Sequence, residues 1–544
     1  MKGSFLSWIE ILVFSVLIFQ DIFNWGYALA VSTDAPVPDP LCGLIASTNI
    51  ETFYSIWSCN TSGYPIYDQC SWTGVLCDST NYSVVSVSIT QTNLTGTLPD
   101  SLGDMSSLTS LSLVWSDLDG TLPAYWSSFS LLAELSLNDN NFTGSLPSEW
   151  SEMPELQKLY LYGNNLTGSL PSDWGSMSRI QHLSMANNNL TGSLPSAWGS
   201  LGQVEVLVLY GNMLTGSLPE TWACLNSVRN LYIFENELSG SLPSAWGSLK
   251  QLEQLYLYIN KLSCSIPLSF GSLSQLQQLS ISRNRLTGVL PTSLASLVEL
   301  EFVFLYDNSL EGSIPVQFGS LTAMEFLYLS LNSLSGSLPS SLGSMTELLY
   351  LSLSENDLSG PLPPSLFTLP SLRFIDLSQN GLSGSLPGEV NASNSLTTIY
   401  LSFNSFSNSI PSSMAGAVNL TSLNVSFTGV TGAIPSVLCS SAGVSIDVTA
   451  TAIQCYTGCL TSSRVLVYGA SAQCHNGEIM REFFIFVGVF LGLALGFTAL
   501  GRYFYQWQLN ICLAADFECG YTACSRRWLA NSQQPVADGT SQPG

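Results

Sequence analysis

Cations and histidines are scarce in this chain of 544 residues. Lys and Arg number 14 against 38 Asp and Glu, the net charge is -24 at pH 7, and only 10% of residues are charged. Such a surface has few cations to replace phosphate counterions, which argues against a nucleic-acid partner. There are two histidines, His182 and His475, and neither lies in a motif that suggests a nucleophile, a base or a metal site. No Gly-rich phosphate loop follows an apolar strand. The chain is therefore expected to be no enzyme and to use no cofactor or metal. Its acidity fits a soluble surface held away from neutrality.

What is present begins at the ends. Lys2, an apolar stretch from Phe5 to Phe23 and the small-x-small site Ala28-Leu29-Ala30 read as a secretory signal peptide over residues 1–30. A second apolar run, Phe483 to Gly501, carries no charge and at 1.5 Å per residue nearly matches a ~30 Å hydrocarbon core. With Arg481 before it and Arg502, Arg526 and Arg527 after it, a transmembrane helix is expected over 481–502, with a cytoplasmic tail over 503–544 too short for a kinase domain. The expected location is the plasma membrane, single-pass type I, with the ectodomain outside. Gly488, Gly492 and Gly496 form a small-residue face on that helix, so a homodimer is expected there. If Gly492→Leu left crosslinked dimer yield unchanged, that contact would be excluded.

Outside the cell is oxidising, and the cysteines sit accordingly. Cys42, Cys59, Cys70 and Cys77 fall in an N-terminal cap (31–83), and Cys439, Cys455, Cys459 and Cys474 in a C-terminal cap and juxtamembrane segment (439–480). All eight are disulfide candidates, with the pairing left open. Cys224 and Cys264 replace a Ser and a Gly two repeat units apart, about 10 Å along the axis, and are expected to be unpaired.

Between the caps, residues 84–438 keep the frame L-x-L-x-x-N-x-L. Its Asn stands at 140, 164, 188, 212, 236, 260, 284, 308, 332, 356, 380 and 404, a constant step of 24, with Thr92, Ser116 and Thr428 in the same frame. Leu156, Leu159 and Leu161 show the spacing of a strand with one buried face. The frame is that of a leucine-rich repeat array, an α/β solenoid of about 15 units. Each unit adds one parallel strand, and its Asn turns inward to bond backbone groups. Trp126, Trp150, Trp174, Trp198, Trp222 and Trp246 share one column, continued by Phe270, Leu294, Phe318, Leu342 and Leu366, and read as a packed spine on the convex side.

The stretch Leu166-Thr167-Gly168-Ser169-Leu170-Pro171 resembles the plant-type repeat, which adds a second short extended segment before a turn of helix. "CSWTGVLC", Cys70 to Cys77, resembles the cap that precedes such repeats in receptor ectodomains. Together with "LPSEWSEMPEL" in 24-residue units, it is similar to the parasite surface antigen family of trypanosomatid protozoa. The resemblance covers residues of about 40 to 475 and implies a cell-surface glycoprotein. Members of that family are often lipid-anchored, and the hydrophilic tail here departs from that pattern.

Strand positions pointing away from the coil interior are free of the packing rule. They carry Tyr160, Tyr162, Tyr210, Tyr232, Phe234, Tyr256, Tyr258, Phe302, Phe304, Tyr306, Phe326, Tyr328, Tyr350 and Phe374, with serines toward the ends. Solvent-facing aromatics rimmed by small polar residues mark interaction sites. The competing reading is cross-strand pairing that only stabilises the sheet. Glycosylation signals stand at Asn60, Asn81, Asn93, Asn141, Asn165, Asn189, Asn391, Asn419 and Asn424, and none falls between 190 and 390, where most of the aromatics lie. The expected function is surface recognition or adhesion, with a protein or glycan ligand on the concave face. Signalling through a co-receptor and a structural coat without a ligand are the alternatives. On the recognition reading Tyr256→Ala and Tyr306→Ala weaken binding and leave thermal stability nearly unchanged.

Overall fold

The computed structural model describes residues 40–455 and 466–468, apart from 61, 63, 80–82, 91–92, 389, 391–394, 436–437 and 439–443. The signal peptide, the transmembrane segment with its glycines, and the tail lie outside the described residues. Among the described residues no helix is long and apolar enough to cross a membrane.

An 18-stranded sheet runs the length of the array. It starts with Val75–Cys77 antiparallel to Val84–Thr90, and every later pairing is parallel. Parallel pairing follows from the constant step: a chain that returns to the same place in every coil always crosses in the same direction. Within a strand the side chains alternate, so Leu159 and Leu161 are fully buried in the coil interior while Lys158, Tyr160 and Tyr162 stand on the outer face of the sheet.

Each coil, named below by its Asn, is tied to its neighbours by that residue. Asn164 Nδ2 donates to Leu137 O at 3.0 Å, Leu161 O at 3.1 Å and Tyr162 O at 3.3 Å, and its Oδ1 accepts from Phe142 N at 3.1 Å. The same pattern recurs at Asn212 and Asn260. One amide thus satisfies backbone groups of two coils, as a buried polar side chain must. The expected inward Asn column is present.

After the Asn, a second parallel ladder forms. It opens with the pair Thr95–Thr97 and Asp117–Asp119, continues through single bridges such as Ser145↔Thr167, and from Ser239 to Ser407 is an eight-stranded sheet. The glycine of this segment takes positive φ, for example 79° at Gly168, and Cys264 occupies that place with φ 66°. Where the described residues cover the whole coil, it then closes with a five-residue 3-10 helix such as Ser172–Ser176, with Pro171 at the N-cap position. The expected turn of helix is therefore 3-10.

The tryptophan spine runs beneath these helices. Its rings stack coil on coil, 6.4 Å apart and 3° from parallel for Trp150–Trp174, and all six are fully buried. Each indole N–H donates to the proline carbonyl of the preceding coil, as Trp174 Nε1 does to Pro147 O at 2.9 Å. A buried Trp without such a partner would lose its solvation uncompensated.

The N-terminal cap is closed by Cys42–Cys59 and Cys70–Cys77. Of the C-terminal candidates, Cys455 lies in the strand Ala452–Cys455, while Cys439, Cys459 and Cys474 fall outside the described residues. The long sheet does not stop at the boundary expected at 438. Ser445–Asp447 pairs with Ser422–Asn424, and Leu466–Tyr468 pairs with Ser445–Asp447. Thr451 Oγ1 donates to Val448 O there, as Thr428 Oγ1 does to Val425 O.

Candidate ligand-binding face

Three columns of side chains cover the outer face of the long sheet, standing six, four and two residues before each Asn. The structure places the fourteen sequence-selected aromatics in these columns but not in full solvent. Phe234, Tyr258, Tyr306 and Tyr328 are buried, at 3%, 6%, 8% and 6% exposure, and the other ten are half-buried. The expectation of solvent-facing rings is corrected on this point. Most of the rings lie against a neighbouring ring and cover part of it.

Two tracks result. In the coils of Asn212, Asn236 and Asn260, Tyr210, Phe234 and Tyr258 stack at 4.2 Å between successive centroids, 7° and 13° from parallel. Tyr232 and Tyr256 stack beside them at 5.0 Å. In the coils of Asn308 to Asn380 the longest stack moves to the first column. There Phe302, Phe326 and Tyr350 are spaced 4.9 Å apart, and Phe374 follows at 6.1 Å. Phe304 and Tyr328 pair beside this stack at 5.0 Å. Tyr160 and Tyr162 stand outside both, and Tyr160 meets His182 edge-on at 6.5 Å.

A polar row runs along the first track. Asn230 Nδ2 donates to Tyr232 Oη, Tyr232 Oη donates to Gln254 Oε1, and Tyr256 Oη donates to Gln278 Oε1. Charged residues of the face columns, Glu134, Lys158 and Asp376, lie toward its two ends, and in between charge stands beside the columns, as at Asp139 and Glu235. Burial raises the Tyr162 phenol above its ordinary range, and the nearby Asp139 adds to the effect. Burial likewise raises Tyr210, helped by Glu235, and raises the carboxyls of Asp139 and Glu235. These phenols are neutral at physiological pH, so the face offers rings and hydroxyls rather than anions. Among the described residues no cluster of His, Cys, Asp or Glu could hold a metal ion.

Between the tracks lies the Asn284 coil, whose face positions are Gln278, Ser280 and Ser282. All three are buried, and the two serine hydroxyls have no hydrogen-bond partner. Sequence reading selected the aromatics on either side and gave these two serines no role. It also missed Phe403 and Phe427, which stack at 4.3 Å just before the ladder residues Asn404 and Thr428, 50% and 47% exposed at positive φ. The signal that could have found them was their own 24-residue step.

The glycosylation candidates fall mostly on the flank. Asn141, Asn165 and Asn189 are exposed and occupy the same place in three successive coils. Asn60, Asn93 and Asn419 are exposed too, and Asn60 Oδ1 accepts from Ser62 N and Tyr64 N. Asn424 lies on the sheet face, where its Oδ1 accepts from Ser426 N and Oγ. Asn81 and Asn391 are outside the described residues. Cys224 and Cys264 are unpaired and exposed.

Comparison with known proteins agrees with this architecture. Leucine rich repeat models match residues 130–190 and 274–334, and again 347–369, 371–392 and 395–417. No curated protein matches the chain. Among solved structures, a plant peptide hormone receptor, RGFR1 in complex with RGF2, is 27% identical with a TM-score of 0.60, over 71% of this chain and 72% of the receptor. The Arabidopsis receptor kinase HAESA, in complex with the peptide hormone IDA and the co-receptor SERK1, is 28% identical with a TM-score of 0.60, over 80% and 82%. A Leptospira interrogans leucine-rich-repeat protein, LIC12759, is 29% identical with a TM-score of 0.53, over 62% and 83%. The chain is a leucine-rich-repeat solenoid similar to the ligand-binding ectodomains of plant membrane receptors.

Proposed function

We propose that this protein is a single-pass cell-surface recognition glycoprotein whose long-sheet face binds an extracellular peptide or protein. The observation that carries this reading is the aromatic field from Tyr210 to Phe374, which lies in a stretch without a glycosylation signal. Rings held half-buried by their neighbours present apolar area that is already ordered, which lowers the entropic cost of binding. The likeness to receptors solved with peptide hormones supports a peptide over a glycan. The resemblance of the cap and repeat motifs to trypanosomatid surface antigens, read from the sequence, favours display at a cell surface. A co-receptor is favoured as a second partner by the likeness to HAESA.

The test is a binding screen on the full-length chain displayed on cells, with Tyr256→Ala beside it. A protein or peptide that binds the wild type and is lost in Tyr256→Ala supports the reading. Binding confined to a glycan array overturns the peptide class, and binding to neither supports a structural coat.

A further inference from the structure

We propose that the Asn284 coil is a recessed receptor for one aromatic side chain of the partner, an inference that rests on the peptide-binding reading. The protein contains its own template for the arrangement. Phe234 sits between Tyr210 and Tyr258, two strands apart, with 4.2 Å between centroids on each side. Two strands further, Tyr258 and Tyr306 flank the same column, but the residue between them is Ser282. In the neighbouring column Tyr256 and Phe304 flank Ser280. Both stacks therefore lose their ring in the same coil.

The two serines are 2% and 0% exposed. A serine side chain is too short to shield its own hydroxyl, so the flanking residues cover it. Leu279 before Ser280 and Ile281 between the two serines fill the coil interior, so alternation aims both serines at the face. Neither hydroxyl finds a hydrogen-bond partner, and leaving a buried donor unpaired destabilises a fold. Packing does not require the hydroxyl: Ala186 fills the equivalent gap between Tyr162 and Tyr210 and is buried at 1%.

On this proposal the flanking rings rotate aside as the walls of a slot and admit the partner's ring between them, above the two hydroxyls. Ser280, the last residue of its strand, and Ser282 are two residues apart along extended chain, ~7 Å by strand geometry. No Lys, Arg, Asp or Glu stands in the three face columns from Val206 to Ser330. A neutral ring fits these walls, and the hydroxyls bond a phenol oxygen or the backbone that carries the ring.

The test uses purified full-length protein and a phage library of random linear twelve-residue peptides. Peptides selected on the wild type share one Tyr, Phe or Trp, whose replacement by Ala weakens binding about tenfold, a typical loss for an aromatic anchor. The double variant Ser280→Ala, Ser282→Ala melts at a higher temperature than wild type yet binds those peptides several-fold more weakly. Ser282→Phe completes the stack and abolishes binding. If Ser282→Phe does not fold, the double Ala variant decides. Unchanged peptide binding in the serine variants overturns the slot and leaves the face reading standing. Failure of the wild type to enrich any peptide over a blank surface overturns both.

Discussion

The protein stacks aromatic rings in two places, and the two stacks behave differently. The tryptophan column from Trp126 to Trp246 has no gap: its rings repeat at 6.3–6.4 Å, every ring is fully buried, and every indole N–H is bonded to a proline carbonyl. The tyrosine and phenylalanine stacks of the long sheet break at the serine coil, change column and leave most rings half in solvent. A column that is complete and satisfied serves the scaffold, because each coil must match the next. A column that is interrupted is not required by that match, and on the proposed reading the interruption serves a partner. Aromatic content alone does not separate the two. Continuity and polar satisfaction do.

The comparison is broken first by removing a ring from the complete stack. Trp174→Ala should lower unfolding stability by about 3–5 kcal/mol, the usual cost of a buried Trp cavity. The loss should concentrate in the adjacent coils, since repeat arrays are held by nearest neighbours. Denaturant unfolding gives the size, and hydrogen exchange gives the location. Tyr306→Ala comes next. Because Tyr306 is 8% exposed, its removal costs about 1.5–3 kcal/mol, so its melting temperature falls along with binding. The structure thereby replaces the expectation of unchanged stability at this position, and keeps Tyr256, which is half-buried, as the better binding probe.

Asn260→Ala removes one rung of the amide ladder and orphans buried backbone groups of two coils, for about 1–3 kcal/mol in denaturant midpoint. Trp174→Phe keeps a ring in the stack and removes only the bond to Pro147, for about 1 kcal/mol. Should Trp174→Phe cost as much as Trp174→Ala, the stack is not what holds the spine. The smallest effect belongs to the flank: Asn165→Gln should shift stability by less than about 0.5 kcal/mol, and on the proposed reading of Asn165 as a glycosylation site it lowers the apparent mass on a gel by one glycan.

The parts legible in sequence were those enforced in every coil. The Asn step of 24, the alternating leucines and the Trp column each state one local rule repeated many times, so no single exception could hide it. The last two long-sheet strands were harder to see because the step slips from 24 to 23 and then to 21, and a frame aligned on 24 loses them. The free cysteines were legible from their separation, but the N-terminal pairing was not, because four thiols in one cap allow three connectivities.

Sequence by itself determined the repeat, the direction of every strand after the first, and which residues stand on the face. Alternation and period settle these without reference to distance. Only the tertiary structure decided how deep each ring lies, which carbonyl each indole meets, and that Ser280 and Ser282 are covered with their hydroxyls unpaired. The reason is physical: burial on this face is conferred by residues 24 positions away in the adjacent coils. Their rings can reach a neighbour only after the solenoid has stacked.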